Sequence, residues 1–86
     1  MFDVTVRPKA AKQLQKLRNP LAAAQIYDAV TALKNWPNCT NVKALVNHQY
    51  PYRLRTGNYR VFFSVQDDHL QIVYIEEVRK RDERTY

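Results

Sequence analysis

Apolar and polar residues alternate at the start of the chain, where Phe2, Val4 and Val6 are separated by Asp3, Thr5 and Arg7. That period of two predicts a short half-buried strand. Pro8 follows, and proline suits the first turn of a helix, where no N–H is needed. Over residues 8–18 the period becomes helical. Ala10, Ala11, Leu14 and Leu17 fall on one side, with Lys9, Lys12, Lys16 and Arg18 elsewhere. Asn19-Pro20 breaks this helix and opens another, with Asn19 as its N-cap and Pro20 at its first position. The second helix is expected over residues 20–35, burying Leu21, Ala24, Ile26, Val30 and Leu33. Residues 36–41 read as a loop, and 42–45 as a short strand or sheet edge.

The second half is rich in β-formers, in runs over residues 52–56, 59–65 and 70–78. Gly57, the one glycine in the chain, stands in Gly57-Asn58, a pair that tolerates positive φ and suits a two-residue hairpin turn. Asp67-Asp68 reads as a second turn. The order strand, helix, helix, then three or four strands predicts an α+β fold. Two N-terminal helices pack on one face of a small antiparallel sheet. With no repeat and no linker, residues 1–86 form a single domain.

A two-residue turn fixes register. Thr56 then opposes Tyr59, Arg55 opposes Arg60, Leu54 opposes Val61, Arg53 opposes Phe62 and Tyr52 opposes Phe63. Side chains alternate between faces. Tyr52, Leu54, Val61, Phe63 and Val65 therefore face the helices, while Arg53, Arg55, Arg60, Phe62 and Ser64 face away. If Asp67-Asp68 is also a two-residue turn, Leu70, Ile72 and Tyr74 join the helix side, and Gln71, Val73, Ile75 and Glu77 join the open side. The open face is thus expected to hold three arginines beside an apolar patch of Phe62, Val73 and Ile75, with Glu77 diagonal to Arg60. Like charges directly opposite one another destabilise a sheet. An offset is required, either a bound anion such as phosphate, which guanidinium groups match in geometry, or a salt bridge to Glu76 or Glu77. One carboxylate does not neutralise three arginines, so the anion site leads. His48, just before the arginine strand, can reach the same face.

Charge sharpens this picture. Fourteen Lys and Arg oppose eight Asp and Glu, a net charge of +6. Such a balance fits a polyanionic partner, and equally a merely soluble domain. The tail adds Arg79, Lys80, Arg81 and Arg84 before Tyr86, diluted by Asp82 and Glu83. Cations that hold phosphates beside a ring that stacks on an unstacked base suit RNA. Cys39 is the only cysteine, which excludes an internal disulfide framework and a multi-cysteine zinc site. No His/Cys/Asp/Glu cluster has metal-ligand spacing and no glycine-rich phosphate loop occurs, so neither a metal nor a cofactor is expected. No apolar run approaches the ~18 residues of a membrane span. The opening residues have no secretory pattern, so a cytoplasmic location without a membrane partner is expected. Phe2 and Trp36 read as core or core rim, and His69 as a solvated turn residue.

The run Tyr50-Pro51-Tyr52-Arg53-Leu54-Arg55-Thr56-Gly57-Asn58-Tyr59-Arg60-Val61-Phe62-Phe63 resembles the central hairpin signature of the RelE/ParE toxin superfamily. Val42-Lys43-Ala44-Leu45 resembles the segment that precedes it. The ending Glu77-Val78-Arg79-Lys80-Arg81-Asp82-Glu83-Arg84-Thr85-Tyr86 is similar to the basic, tyrosine-terminated ending of the RelE-like branch. The resemblance covers nearly the whole chain. It implies a RelE-like, microbial-ribonuclease-like fold and the toxin of a type II toxin–antitoxin pair, a ribosome-dependent, metal-independent mRNA endonuclease. In that reaction the ribose 2′-OH attacks the adjacent phosphate and leaves a cyclic phosphate. The chemistry needs a base for the 2′-OH, positive charge for the phosphorane and an acid for the 5′ oxygen.

Carried onto this chain, the resemblance assigns Arg60 to the phosphorane and Arg53 to assistance of the 2′-OH. Lys80 or Arg81 matches the position tied to leaving-group protonation, and Tyr86 the ring that stacks on the cleaved nucleotide. Arg55, Phe62, Arg79, Arg84 and His48 are expected to contact the RNA. Pro51 stands where one relative carries a strand lysine, and His48 could supply acid–base function, as histidines do in other branches. The implied partners are a cognate antitoxin, mRNA on the ribosome, and operator DNA only through the antitoxin. Two rivals share the fold. The ParE branch poisons DNA gyrase by binding, and a degenerate homologue would bind its antitoxin and cut nothing. The basic tail ending in Tyr86 favours the nuclease.

Overall fold

Strand β1 (Asp3–Val6) runs directly into helix α1 (Pro8–Gln15) in the computed structural model, which describes residues 1–80. Helix α2 (Pro20–Thr31) follows and tightens into a 3-10 turn at Ala32–Asn35. Strands β2 (Val42–Ala44), β3 (Tyr52–Thr56), β4 (Tyr59–Asp67) and β5 (Gln71–Lys80) complete the order. Asn19 caps α2 as its sequence suggests, its side-chain oxygen accepting the Ala22 N–H at 3.2 Å, with Pro20 in the first turn. α1 is shorter than its apolar period. The Leu17 N–H turns back to the Leu14 carbonyl at 3.2 Å, an i→i−3 bond that closes the helix early.

The strands form one sheet in the order β1-β5-β4-β3-β2. β2 to β5 pair antiparallel, as expected, while β1 lies parallel to β5. Both helices and three strands separate β1 from β5 in sequence, so no hairpin constrains their direction. β1 covers β5 only as far as Ile75. Beyond that point α1 takes over the same edge, where the Gln13 Oε1 accepts the Val78 N–H at 2.6 Å. Helix and strand together protect an edge that would otherwise expose unpaired backbone.

The core lies between the helices and the inner sheet face. It joins Phe2, Ala10, Leu14, Ile26, Val30 and Leu33 to Leu54, Val61, Phe63, Val73, Ile75 and Val78. Phe63 is fully buried and stacks on Tyr52 with ring centroids 5.4 Å apart. Trp36 meets both rings edge-on, at 4.7 Å from Tyr52 and 5.5 Å from Phe63. Burial of each such large side chain contributes about 1.5–3 kcal/mol. The buried stripe of α2 is Ala22, Ile26 and Val30, spaced by four, and it differs from the expected one. Leu21 is 77 % exposed and Ala24 is also exposed. Ile26, Val30 and Leu33 are buried as expected, and Ala22 takes the place of Leu21 and Ala24 at the start of the stripe.

The first hairpin has the expected register at every pair, from Thr56 opposite Tyr59 to Tyr52 opposite Phe63. Gly57 alone supplies the left-handed residue, at φ +55, and Asn58 is not among the residues with positive φ. This is the arrangement of a turn whose glycine occupies the first central position. The second hairpin departs from expectation. Asp67 pairs with Gln71, leaving a three-residue connection that Asp68 braces by accepting the Leu70 N–H on its carboxylate at 2.9 Å. The odd connection moves Val73 and Ile75 from the open face into the core, where both are fully buried. A β-bulge then restores the parity: Phe63 opposes Ile75 but Phe62 opposes Glu77, so Glu76 is the extra residue. The expected apolar patch of Phe62, Val73 and Ile75 therefore does not form.

A Cβ at Gly57 would sit 3.5 Å from the Gln25 Oε1, an ordinary contact. The expected cost of Gly57→Ala is thus conformational, about 1–2 kcal/mol for a left-handed L-residue. Thermal unfolding should show a lower Tm, by roughly 4–8 °C per kcal/mol in a domain of this size. Gly57→Asn should recover part of the loss, because asparagine tolerates this region. An unchanged Tm for Gly57→Ala would contradict the turn assignment.

Candidate functional site

The outer face of the sheet carries its side chains in cross-strand rows. Nearest the hairpin turn, Arg55 of β3 opposes Arg60 of β4, which opposes Arg79 of β5. In the next row Lys43 of β2 opposes Arg53, which opposes Phe62, which opposes Glu77. Directly opposed side chains have Cβ atoms about 4.5–5.5 Å apart. Five cations and one carboxylate thus share a surface two rows deep. The bulged Glu76 is engaged farther along, accepting from the Ser64 hydroxyl at 2.7 Å and lying 3.5 Å from the Arg7 Nε. Arg7 also stacks over the Tyr74 ring at 4.2 Å. Among the described residues no carboxylate pairs with Lys43, Arg53, Arg55 or Arg60. The Arg53 Nε is buried and has no acceptor among them. A buried donor without a partner costs about 1–3 kcal/mol.

Glu77 is only 3 % exposed and is the anchor of the face. Its Oε1 accepts from the Lys9 Nζ at 2.7 Å and from the Tyr50 hydroxyl at 3.1 Å, and its other oxygen accepts from the Arg79 Nε. The expected pairing with Arg60 is not made. Burial pushes the Glu77 carboxyl up, but the hydrogen bonds from Lys9, Arg79 and Tyr50 outweigh it and hold the group below its ordinary value. The same bond raises Lys9, and burial together with the bond to Glu77 raises the Tyr50 phenol. Burial alone pushes the Cys39 thiol up, which disfavours its reactive thiolate.

The connection between β2 and β3 folds back over this surface. The Leu45 N–H donates to the Pro51 carbonyl at 2.8 Å, closing the loop, and Asn47 takes a left-handed φ of 55 within it. His48 stacks on Phe62 with centroids 5.0 Å apart and planes 11° apart. Tyr50 lies tilted beside Phe62 at 5.8 Å, and the Arg79 guanidinium lies 5.3 Å from its ring centre. Phe62 is consequently 5 % exposed and does not present an open ring.

The fold therefore brings together Arg53, Arg55, Arg60, Arg79, Phe62 and His48, all expected at one site. Lys80 is placed apart from them. It opposes Tyr59, a residue packed against the core, and lines a cleft of about 330 Å³ with Leu21 and Gln25 of α2. Arg81, Arg84 and Tyr86 lie outside the described residues. Three further residues of the surface escaped the reading of the sequence. Lys43 was legible from pairing of the 42–45 segment with β3. Lys9 and Tyr50 had no local signal, since both reach Glu77 across the fold. The bulge had one: the apolar spacing Val73, Ile75, Val78 changes from two to three. Among the described residues no group of three or more His, Cys, Asp and Glu could hold a metal ion. No helix there is long and apolar enough to cross a membrane.

Because its pKa is depressed in the fold, ionised Glu77 stabilises the protein fully above the ordinary carboxylate value of 4.5, and the contribution disappears as pH falls below it. Glu77→Gln should lower stability at pH 7 and flatten the acid limb of a stability-against-pH curve. Chemical denaturation between pH 3 and 7 would test this, and an equally steep acid limb in the variant would contradict it.

The family described as ParE toxin of type II toxin-antitoxin system, parDE, matches residues 4–85. Among curated proteins none matches the chain. Two solved structures share the fold. The archaeal RelE–RelB complex from Pyrococcus horikoshii OT3 contains a chain 23 % identical, with a TM-score of 0.76, over 95 % of this chain and 97 % of that one. The toxin–antitoxin complex RelBE2 from Mycobacterium tuberculosis contains one 24 % identical, with a TM-score of 0.77, over 93 % of this chain and 98 % of that one. With a family match that spans both helices and the whole sheet, this chain belongs to the ParE toxin family, in the RelE/ParE superfamily of type II toxin–antitoxin toxins.

Proposed function

We propose that this toxin is a ribosome-dependent mRNA endonuclease that cleaves through attack of a ribose 2′-OH on the adjacent phosphate. The observation that carries the reading is the row Arg55, Arg60, Arg79 beside the buried, unpartnered Arg53 Nε. Guanidinium groups clustered beside a reacting phosphate can stabilise the charge that develops on a phosphorane more than the charge of the ground state. Arg60, in the centre of the row, is assigned to the phosphorane. Arg55 holds the phosphate, and Arg53 assists the 2′-OH. Arg79 is shared with Glu77 and positions the row. Lys80 faces the helix side, so the leaving-group proton falls to Arg81, and Tyr86 stacks on the cleaved nucleotide. Two relatives of the same fold were solved as complexes with antitoxins. We assign this chain a small antitoxin as well, whose acidic or amphipathic segment covers the cationic face and pairs its arginines. Operator DNA would be reached only through that antitoxin.

A second reading has one observation in its favour, the ParE description of the matching family. On that reading the same face binds DNA gyrase and no RNA is cut.

Arg60→Ala should leave the fold intact, since Arg60 lies on the outer face, and should slow cleavage by about 100- to 1,000-fold. Primer extension on translated and untranslated copies of one message, after induced expression, would test both points. The expected result is cuts in the translated copy only, absent in the variant. Growth arrest without cuts would transfer the reading to gyrase. Tyr86→Ala should slow cleavage more than it weakens ribosome binding, and equal losses in cleavage and in co-sedimentation would overturn the stacking role.

A further inference from the structure

Resting on the RNA reading above, we propose that the outer face of His48 is a stacking platform for one nucleobase of a single-stranded RNA whose phosphates lie on the arginine row. His48 is an exposed residue, yet its ring is not free. Phe62 supports it from below in a near-parallel stack, 5.0 Å between centroids and 11° between planes. Its Nδ1 accepts the Tyr50 N–H at 3.0 Å, which sets the in-plane orientation and leaves the neutral ring's proton on Nε2. Tyr50 is held in turn by its hydroxyl on Glu77, and Glu77 by Lys9 of α1. A side chain that only shielded Phe62 from water would need none of this orientation.

The result is a flat ring, fixed through two strands and a helix, beside the five cations of the outer face. Phe62 beneath it lies two residues along β4 from Arg60, about 7 Å along the strand. A nucleotide reaches about that far from its phosphate to its base. Stacking accepts any base, because each has a π-face, and adds to phosphate contacts without reading sequence. With Nδ1 engaged by the Tyr50 N–H and one ring face on Phe62, the other ring face is the part of His48 held in a fixed plane for RNA.

The test uses 2′-O-methyl RNA hexamers, which cannot be cleaved by 2′-OH attack, carrying the fluorescent base 2-aminopurine at each position in turn. Binding is read by anisotropy and stacking by quenching of the base, for the wild type, His48→Tyr and His48→Leu. Leucine covers Phe62 but offers no π-face. The wild type and His48→Tyr should quench one position. His48→Leu, shown folded by its thermal transition, should lose that quenching and bind about 5- to 150-fold more weakly. Equal quenching by His48→Leu would overturn the platform. Wild-type binding with no position quenched would overturn the platform and leave the RNA reading standing. No binding of any hexamer by the wild type would overturn the platform, and the RNA reading would then be decided by the primer-extension result.

Discussion

One extra residue in β5 sets the character of the outer face. After the three-residue connection to β4, uninterrupted alternation would carry Val73, Ile75 and Glu77 all toward the core and leave Val78 outside. A carboxylate among Phe63, Val61 and Leu14 would have no partner and could not remain charged there. The bulge at Glu76 exchanges the two fates. Val78 enters the core, and Glu77 and Arg79 join Phe62 and Arg60 on the outer face. The hydrophobic demand of the core and the charge pattern of the surface are thus met by the same irregularity, consistent with the use of bulges to re-aim side chains.

The electrostatics of the face follow from that placement. Three arginines in one cross-strand row repel one another, and the row is tolerable because Glu77 draws Arg79 aside and Lys9 and Tyr50 stabilise Glu77 in return. Both oxygens of Glu77 are engaged by these three donors. Glu77 anchors the surface, and among the described residues neither it nor any other carboxylate pairs with Arg53, Arg55 or Arg60. The loop between β2 and β3 completes the arrangement by closing over Phe62. On the RNA reading proposed above, such a surface, cationic in two rows with an aromatic support beside it, would hold phosphates and bases on different elements.

Fold and chemistry carry different weight here. The sheet order and the helices are common to the RelE chains of two antitoxin complexes, at identities that speak for the fold alone. The same scaffold can support a nuclease or a binding poison, because function resides in the side chains grafted on it. An arginine row can serve either, since clustered guanidinium groups bind anionic partners as well as they stabilise phosphoryl chemistry.

Local rules accounted for the parts of this protein in which neighbours in sequence are neighbours in space. Asn19-Pro20 starts α2, Gly57 permits the tight turn, and a two-residue turn leaves one register, so Arg53, Arg55, Arg60 and Phe62 could be placed on one face from the sequence. The failures have the same cause throughout. The exposure of Leu21 and Ala24 on α2, the parity of β5 beyond the second turn and the side of the sheet taken by Lys80 depend on how distant elements pack. So do the partners of Glu77, which come from α1 and from the 45–51 loop. A hairpin is closed by a few residues and its register is decided there. The choice of which carboxylate is buried, and by whom it is satisfied, is made by the whole core at once, because only the assembled structure sets the cost of leaving it unpaired.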